Sequence, residues 1–350
     1  LDREAAEERR KRDGDQNKRA AGDRLEDQTG DGCDENSQQA PTLGLDGVRA
    51  RQQEYYGKVE RQEYEKRLKR LAQLSRLSGR LRHHNGMKIW AAFVVAGAMQ
   101  AGPLLDEGFR QMYNLQFAEA HRTFAEFTRQ NPGDPMGPVS DAAAYLFDEF
   151  DRLRILQSQF LTNDDNFFDF HKPDADPKVK LQFEAKLAEA EKMDEAALKK
   201  DPGDTNALFA AILRLGLHSN YLAMIEKRNL QALSEVKESR VFAEQLLAKH
   251  PDYYDAYFAI GIENYLLSQK SAPMRWVLHA TGAQTDKQTG VSKLELTAGK
   301  GHYLAPYARL LLAVVDLREH APGKAKERLE WLAKEYPQNR LYKEELAKLR

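Results

Sequence analysis

Cysteine is nearly absent: Cys33 is the single one in 350 residues, and it lies in a polar N-terminal stretch. The rest of the chain can therefore form neither an intrachain disulfide nor a thiolate metal site. Strand signals are missing too. Beyond residue 100 no run of β-branched residues alternates with polar ones, while Ala, Leu, Glu, Lys and Arg dominate, so an all-α fold is expected. An excess of one charge is also lacking. The net charge of −1 supplies no global field to gather nucleic acid or an acidic surface, and no nucleic-acid partner is expected.

Motifs that carry chemistry are scarce as well. There is no glycine-rich phosphate loop ending in Gly-Lys-Ser/Thr, no H-E-x-x-H zinc pair and no G-x-S-x-G nucleophile turn. Gly299-Lys300-Gly301-His302 has a superficial likeness to a phosphate loop but follows no strand, so a turn between helices is expected there. The acidic stretch Asn163 to Asp176, with Asp164, Asp165, Asp169, His171 and Asp174, offers oxygen ligands of the kind calcium takes. It lacks the central glycine and terminal glutamate of an EF-hand loop, and Phe167, Phe168 and Phe170 interrupt its polar spacing. A solvated loop with docked aromatics is the favoured reading. His218, His279 and His302 have no partner at ligand spacing. No catalytic residue, metal or cofactor is assigned, and the rival from another class is an enzyme gathering dispersed residues such as Asp169, His171 and Glu263.

Residues 87–101 contain the three parts of a secretory signal in order. Met87-Lys88 is a short basic start, Ile89 to Val95 an apolar run, and Ala96-Gly97-Ala98 a small-residue cleavage signature, with Met99-Gln100-Ala101 as a second cut. No cysteine stands at either cut, which argues against a lipid anchor. Met87 is the first methionine, and residues 1–86 contain no Ile, Phe or Trp. They are expected to be a disordered, charged extension upstream of the natural start. Export to the periplasm or envelope follows, with no stable membrane insertion after cleavage. Two other readings stay open: a basic helix at Arg51 to Arg82 followed by an inner-membrane anchor at Ile89 to Leu105, giving an adaptor that faces the cytosol, or a buried helix at Ile89 to Met99. The anchor would barely reach spanning length and is interrupted by Gln100 and Pro103.

From residue 102 to 350 the chain reads as helices separated by recurring punctuation. Asn131-Pro132-Gly133-Asp134, Asp201-Pro202-Gly203-Asp204, His250-Pro251-Asp252 and Tyr336-Pro337-Gln338-Asn339 each stop one helix and offer an acceptor for the next first turn. On these residues the chain resembles the tetratricopeptide repeat family, whose unit of about 34 residues is a helix hairpin. Gly108 and Ala120 stand at its small positions, Phe124 at a large one and Pro132 at its terminal proline; Ala313, Ala325, Leu329 and Pro337 repeat the set. Pro251, Tyr257, Ile260 and Gly261 reproduce the start of a further unit. The wider spacing between Pro132, Pro202 and Pro251 predicts irregular middle units with longer helices or insertions, in which Ala190 is the one good match before Pro202. The stretch from Gly261 to Leu304 also resembles a divergent branch of the family found at outer membranes.

The resemblance implies antiparallel hairpins stacked in a right-handed superhelix. Three recognisable units and one or two irregular ones are expected, closed by a polar helix from Arg340 to Leu349 with Leu346 and Ala347 inward. It also implies a non-enzymatic scaffold that binds a protein or peptide in its groove. Leu105, Phe109, Phe258 and Ile262 occupy the positions where relatives that clamp a carboxylate carry Lys and Asn, so a clamp of that type is not expected. An apolar groove is the alternative, from Phe109, Met112, Tyr113, Phe258 and Tyr265, with Tyr221, Asn206, Asn220 and Asn264 as polar contacts; burial of the same side chains by adjacent helices is the competing reading, and for any single one of them the favoured one. Pro273 to His279, with Trp276, reads as a short helix packed on the last hairpin.

Overall fold

The structure, a computed structural model, describes residues 102–157, 174–269 and 285–349. The expected extension, the signal-like segment, Asn163 to His171 and Pro273 to His279 lie outside the described residues. Among those described there are eleven α-helices and no strand. They are α1 (Gly102–Tyr113), α2 (Phe117–Gln130), α3 (Met136–Arg152), α4 (Pro177–Lys200), α5 (Thr205–Tyr221), α6 (Asn229–Lys249), α7 (Tyr257–Ser268), α8 (Lys287–Lys300), α9 (Ala305–Arg318), α10 (Pro322–Glu335) and α11 (Arg340–Lys348). Each packs mainly on its neighbours in sequence, so the chain forms five successive helix pairs and a closing helix. The apolar spacing is what makes this possible: Leu105, Phe109, Met112 and Tyr113 share one face of α1, and Phe117, Ala120, Phe124 and Phe127 one face of α2.

Two kinds of turn alternate. Where α1, α3, α5 and α9 end, a non-glycine residue takes the left-handed conformation: Leu115, Arg154, Lys227 and His320, with φ of 62°, 55°, 60° and 57°. The residue after each donates its N–H back into the helix end, five residues back in Gln116 to Gln111, Ile155 to Phe150 and Ala321 to Asp316 and six in Arg228 to Leu222, which satisfies carbonyls the helix end leaves open. After α5 this cap follows a π-helical turn at Leu222–Glu226. Turns of the second kind carry the prolines. Asn131, Asp201, His250 and Tyr336 are the helix C-caps, and Pro132, Pro202, Pro251 and Pro337 follow them. Asp134 then accepts from Met136 N at 2.9 Å, Asp204 from Ala207 N at 2.9 Å and Asn339 from Leu341 N at 3.0 Å. Asp252 does not cap; a 3-10 turn at Tyr254–Ala256 leads into α7 instead.

The middle helices are long, 24 residues in α4 and 21 in α6, and residues 153–176 separate α3 from α4; together these account for the wider proline spacing. Small residues sit where helices cross. A Cβ on Gly108 would lie 2.3 Å from the Phe124 ring, and one on Gly261 2.9 Å from Leu294. Ala120, Ala190, Ala313 and Ala325 are buried at the other crossings, and Leu329 is buried beside Ala325. Buried carboxylates recur across consecutive helices, each meeting a basic side chain at the rim: His121–Asp141 at 2.5 Å, Arg214–Asp194 at 2.8 Å, His218–Glu235 at 2.8 Å, Arg240–Glu263 at 2.5 Å and Arg328–Asp316 at 2.6 Å. Pairs of this kind fix which residues face each other, because a displaced register strands a buried charge.

Thr205–Glu226 is long and apolar enough to cross a membrane by composition, yet most of it is buried between α4 and α6. In α11 the inward residues are Leu341, Tyr342 and Glu345, with Leu346 half-buried; Ala347 points outward, contrary to expectation.

Candidate functional site

The first helix pair meets the last. Tyr113 Oη donates to Tyr303 O at 2.9 Å, Asn339 Nδ2 donates to Tyr113 O at 2.8 Å, Gln338 N donates to Asn114 Oδ1 at 3.2 Å, and Arg340 pairs with Asp151 at 2.7 Å. These contacts join residues about 190 to 226 positions apart and consume the side chains expected to line an open groove. Phe109 packs 4.7 Å from the Tyr303 ring and 5.4 Å from Phe124; Tyr113 lies 5.9 Å from Phe147 and 5.5 Å from Tyr336. Phe109, Met112 and Tyr113 are all buried.

The wedge that fills the space is the lead into α9. Asp255, itself buried, accepts the backbone N–H groups of His302, Tyr303 and Leu304 at 2.9–3.2 Å. The first of these N–H groups ends the segment with the superficial likeness to a phosphate loop, and the other two follow it directly. A carboxylate of the chain itself already occupies the place an anion would take, and Tyr303 is thereby held against α1 and, 6.1 Å away, Phe209.

The other expected groove residues are dispersed. Phe258 is half-buried and stacks on Tyr307 at 5.5 Å. Tyr221 is buried on Phe183 at 5.1 Å, and burial pushes its phenol up to about 12. Asn264 is buried, with its Nδ2 donating to Ile260 O and its Oδ1 accepting from Asp286 N at the start of α8; Tyr265 is buried beside it. Asn206 is exposed and donates to Asp134 at 3.3 Å, tying two inter-pair turns together. The structure therefore gives Phe109, Met112, Tyr113, Tyr221, Asn264 and Tyr265 to the core. Of the dispersed enzyme residues, Glu263 is buried against Arg240, while Asp169 and His171 lie outside the described residues. Among the described residues no group of three His, Cys, Asp or Glu could hold a metal.

A different cluster remains at the surface, on the last helix pair beside its junction with the first. Arg309 of α9 lies with its guanidinium 4.0 Å above the Trp331 ring of α10. Trp331 meets Tyr336 edge to face at 6.5 Å, and Tyr336 in turn packs on Tyr113. Arg309, Trp331 and Tyr336 are each partly buried, the two rings against the main core. Arg328, alongside, is neutralised by Asp316 at 2.6 Å and Glu295 at 2.5 Å. Among the described residues Arg309 makes no such pair, and its buried Nε has no hydrogen-bond acceptor. Burial, then the neighbouring Arg328 charge, hold the Arg309 guanidinium below its ordinary value, with Glu295 and Glu335 opposing. Burial likewise pushes Tyr336 up to about 12.

Sequence reasoning passed over this cluster because Arg309 and Trp331 belong to no motif. One signal was available: they lie equally far on either side of His320, so a hairpin turning there must bring them face to face. No family model matches the chain, and no curated protein matches it.

Proposed function

We infer that this chain is a non-enzymatic scaffold that binds a protein or peptide, built from tetratricopeptide-like hairpins. The Arg309–Trp331–Tyr336 surface carries the inference. Tryptophan, tyrosine and arginine are the residues most enriched where single side chains dominate binding energy. Here the three keep part of their surface open and are held by a packed hairpin, so little conformational freedom is lost on binding. The reading moves the contact surface from an inner groove to the outer face of the last helix pair.

A photo-cross-linking residue at Trp331 tests this in the native cells. One discrete adduct is expected from Trp331 and none from the same residue at Lys192 on the outer face of α4. Equal labelling from both sites, or none from Trp331, would contradict the reading. Export belongs to the same proposal and rests on the signal-like order of residues 87–101. N-terminal sequencing of the native protein should give Met99 or Gly102 in the soluble envelope fraction, whereas a terminus near Leu1 in the cytosol would refute export.

A further inference from the structure

We propose that Arg309 and Trp331 together bind a carboxylate side chain of an acidic partner segment, with Trp331 and Tyr336 receiving an adjacent apolar side chain. This rests on the scaffold reading and names the chemistry of its ligand. Three observations lead to it. Arg309 is a half-buried guanidinium without a carboxylate among the described residues, although Arg328 beside it has two. Its Nε is shielded from solvent and donates to no acceptor, so an incoming carboxylate would be received by the two terminal nitrogens of the guanidinium. Finally, the Trp331 face beneath fixes the plane of the fork, which suits the flat, two-pronged acceptance of a carboxylate.

Charge selects the class of anion. Within this cluster, among the described residues, Arg309 is the cation without an ion pair, with the Arg328 charge and the Glu295 and Glu335 carboxylates nearby. A carboxylate brings one negative charge to Arg309, whereas a phosphate dianion would meet more repulsion from the carboxylates around it. The adjacent Trp331 and Tyr336 rings add apolar area that inorganic phosphate cannot use.

The test uses the full chain and two capped peptides, acetyl-Leu-Glu-Glu-Leu-amide and its counterpart with glutamine for glutamate. The indole N–H signal of Trp331 is assigned with Trp331→Phe and followed by NMR as each peptide is added. The glutamate peptide should shift this signal and bind about tenfold more tightly than the glutamine peptide, as expected for a charge-assisted pair. Arg309→Gln should abolish the difference between the peptides. Arg309→Lys, which keeps the charge and removes the planar fork, should lose most of it and serves if Arg309→Gln disturbs folding. Equal titration by the two peptides overturns the proposal, as does no shift from either, or an Arg309→Lys chain that discriminates as the parent does. Each of these outcomes leaves the scaffold reading to the separate cross-linking at Trp331, so the two can fail independently.

Discussion

Substituting alanine for glycine at two helical positions should change stability in opposite directions. Both positions gain the same backbone advantage, because alanine is favoured over glycine within a helix by about 1 kcal/mol. At Gly216 in α5 a Cβ meets nothing within 4 Å, so Gly216→Ala should stabilise the protein by about 0.5–1 kcal/mol. At Gly108 in α1 the same Cβ would stand 2.3, 2.7 and 2.8 Å from three atoms of the Phe124 ring, a side chain with no exposure. Relieving this requires the ring or the whole of α2 to move, and overpacking of that kind costs about 1–3 kcal/mol. Three contacts below 3 Å place the cost in the upper part of that range, so Gly108→Ala should destabilise by about 1–2 kcal/mol after the helical gain. Urea unfolding followed by circular dichroism measures both. The double variant Gly108→Ala/Phe124→Leu should recover part of the loss, since the shorter side chain vacates the contact. If Gly108→Ala proves as stabilising as Gly216→Ala, the close crossing of α1 and α2 is wrong.

Other expectations follow from particular contacts. Asp194 has its carboxyl pushed up to about 6 by burial despite Arg214; the native state then holds more protons between pH 4 and 6. Stability should fall as pH rises through that window, by at most about 3 kcal/mol, and Asp194→Asn should flatten this part of the urea-midpoint profile. His320 is exposed at φ 57°, so His320→Gly should raise stability by about 1 kcal/mol in thermal unfolding. Phe258→Ala should cost about 2–3 kcal/mol, because its ring stacks on Tyr307 within the core; an unchanged stability would return it to the surface. Asn339→Ala removes both the Leu341 cap and the bond to Tyr113 O and should cost about 2 kcal/mol in urea unfolding.

What was legible beforehand depended on how far along the chain the decisive contact lay. Helix ends were local. A proline forbids continuation and an acceptor after it satisfies the next first turn, so the turns at Pro132, Pro202 and Pro337 were readable with their caps. Gly108 and Ala120 announced a close crossing because hairpin partners are near in sequence. The left-handed ends at Leu115, Arg154, Lys227 and His320 were not readable, since none is the glycine or asparagine that marks such a cap.

The groove failed for a different reason. Whether Phe109 and Tyr113 are open or buried depends on Tyr303, and Tyr303 is positioned by Asp255. A carboxylate that reaches across to cap another helix leaves no periodic trace. The buried ion pairs escaped notice similarly, because polar residues such as Glu235 and Glu263 look like solvated helix faces until their neighbours are known.

The meeting of the first and last helix pairs is the claim on which the rest depends, since it fills the space an inner groove would occupy. Nuclear Overhauser contacts from the Tyr113 ring test it most directly. The account predicts cross-peaks from Tyr113 to Phe147, Tyr303 and Tyr336, with the Asn339 side-chain amide slow to exchange. Cross-peaks to α2 and α3 alone, with a freely exchanging Asn339 amide, would show an open array and contradict it.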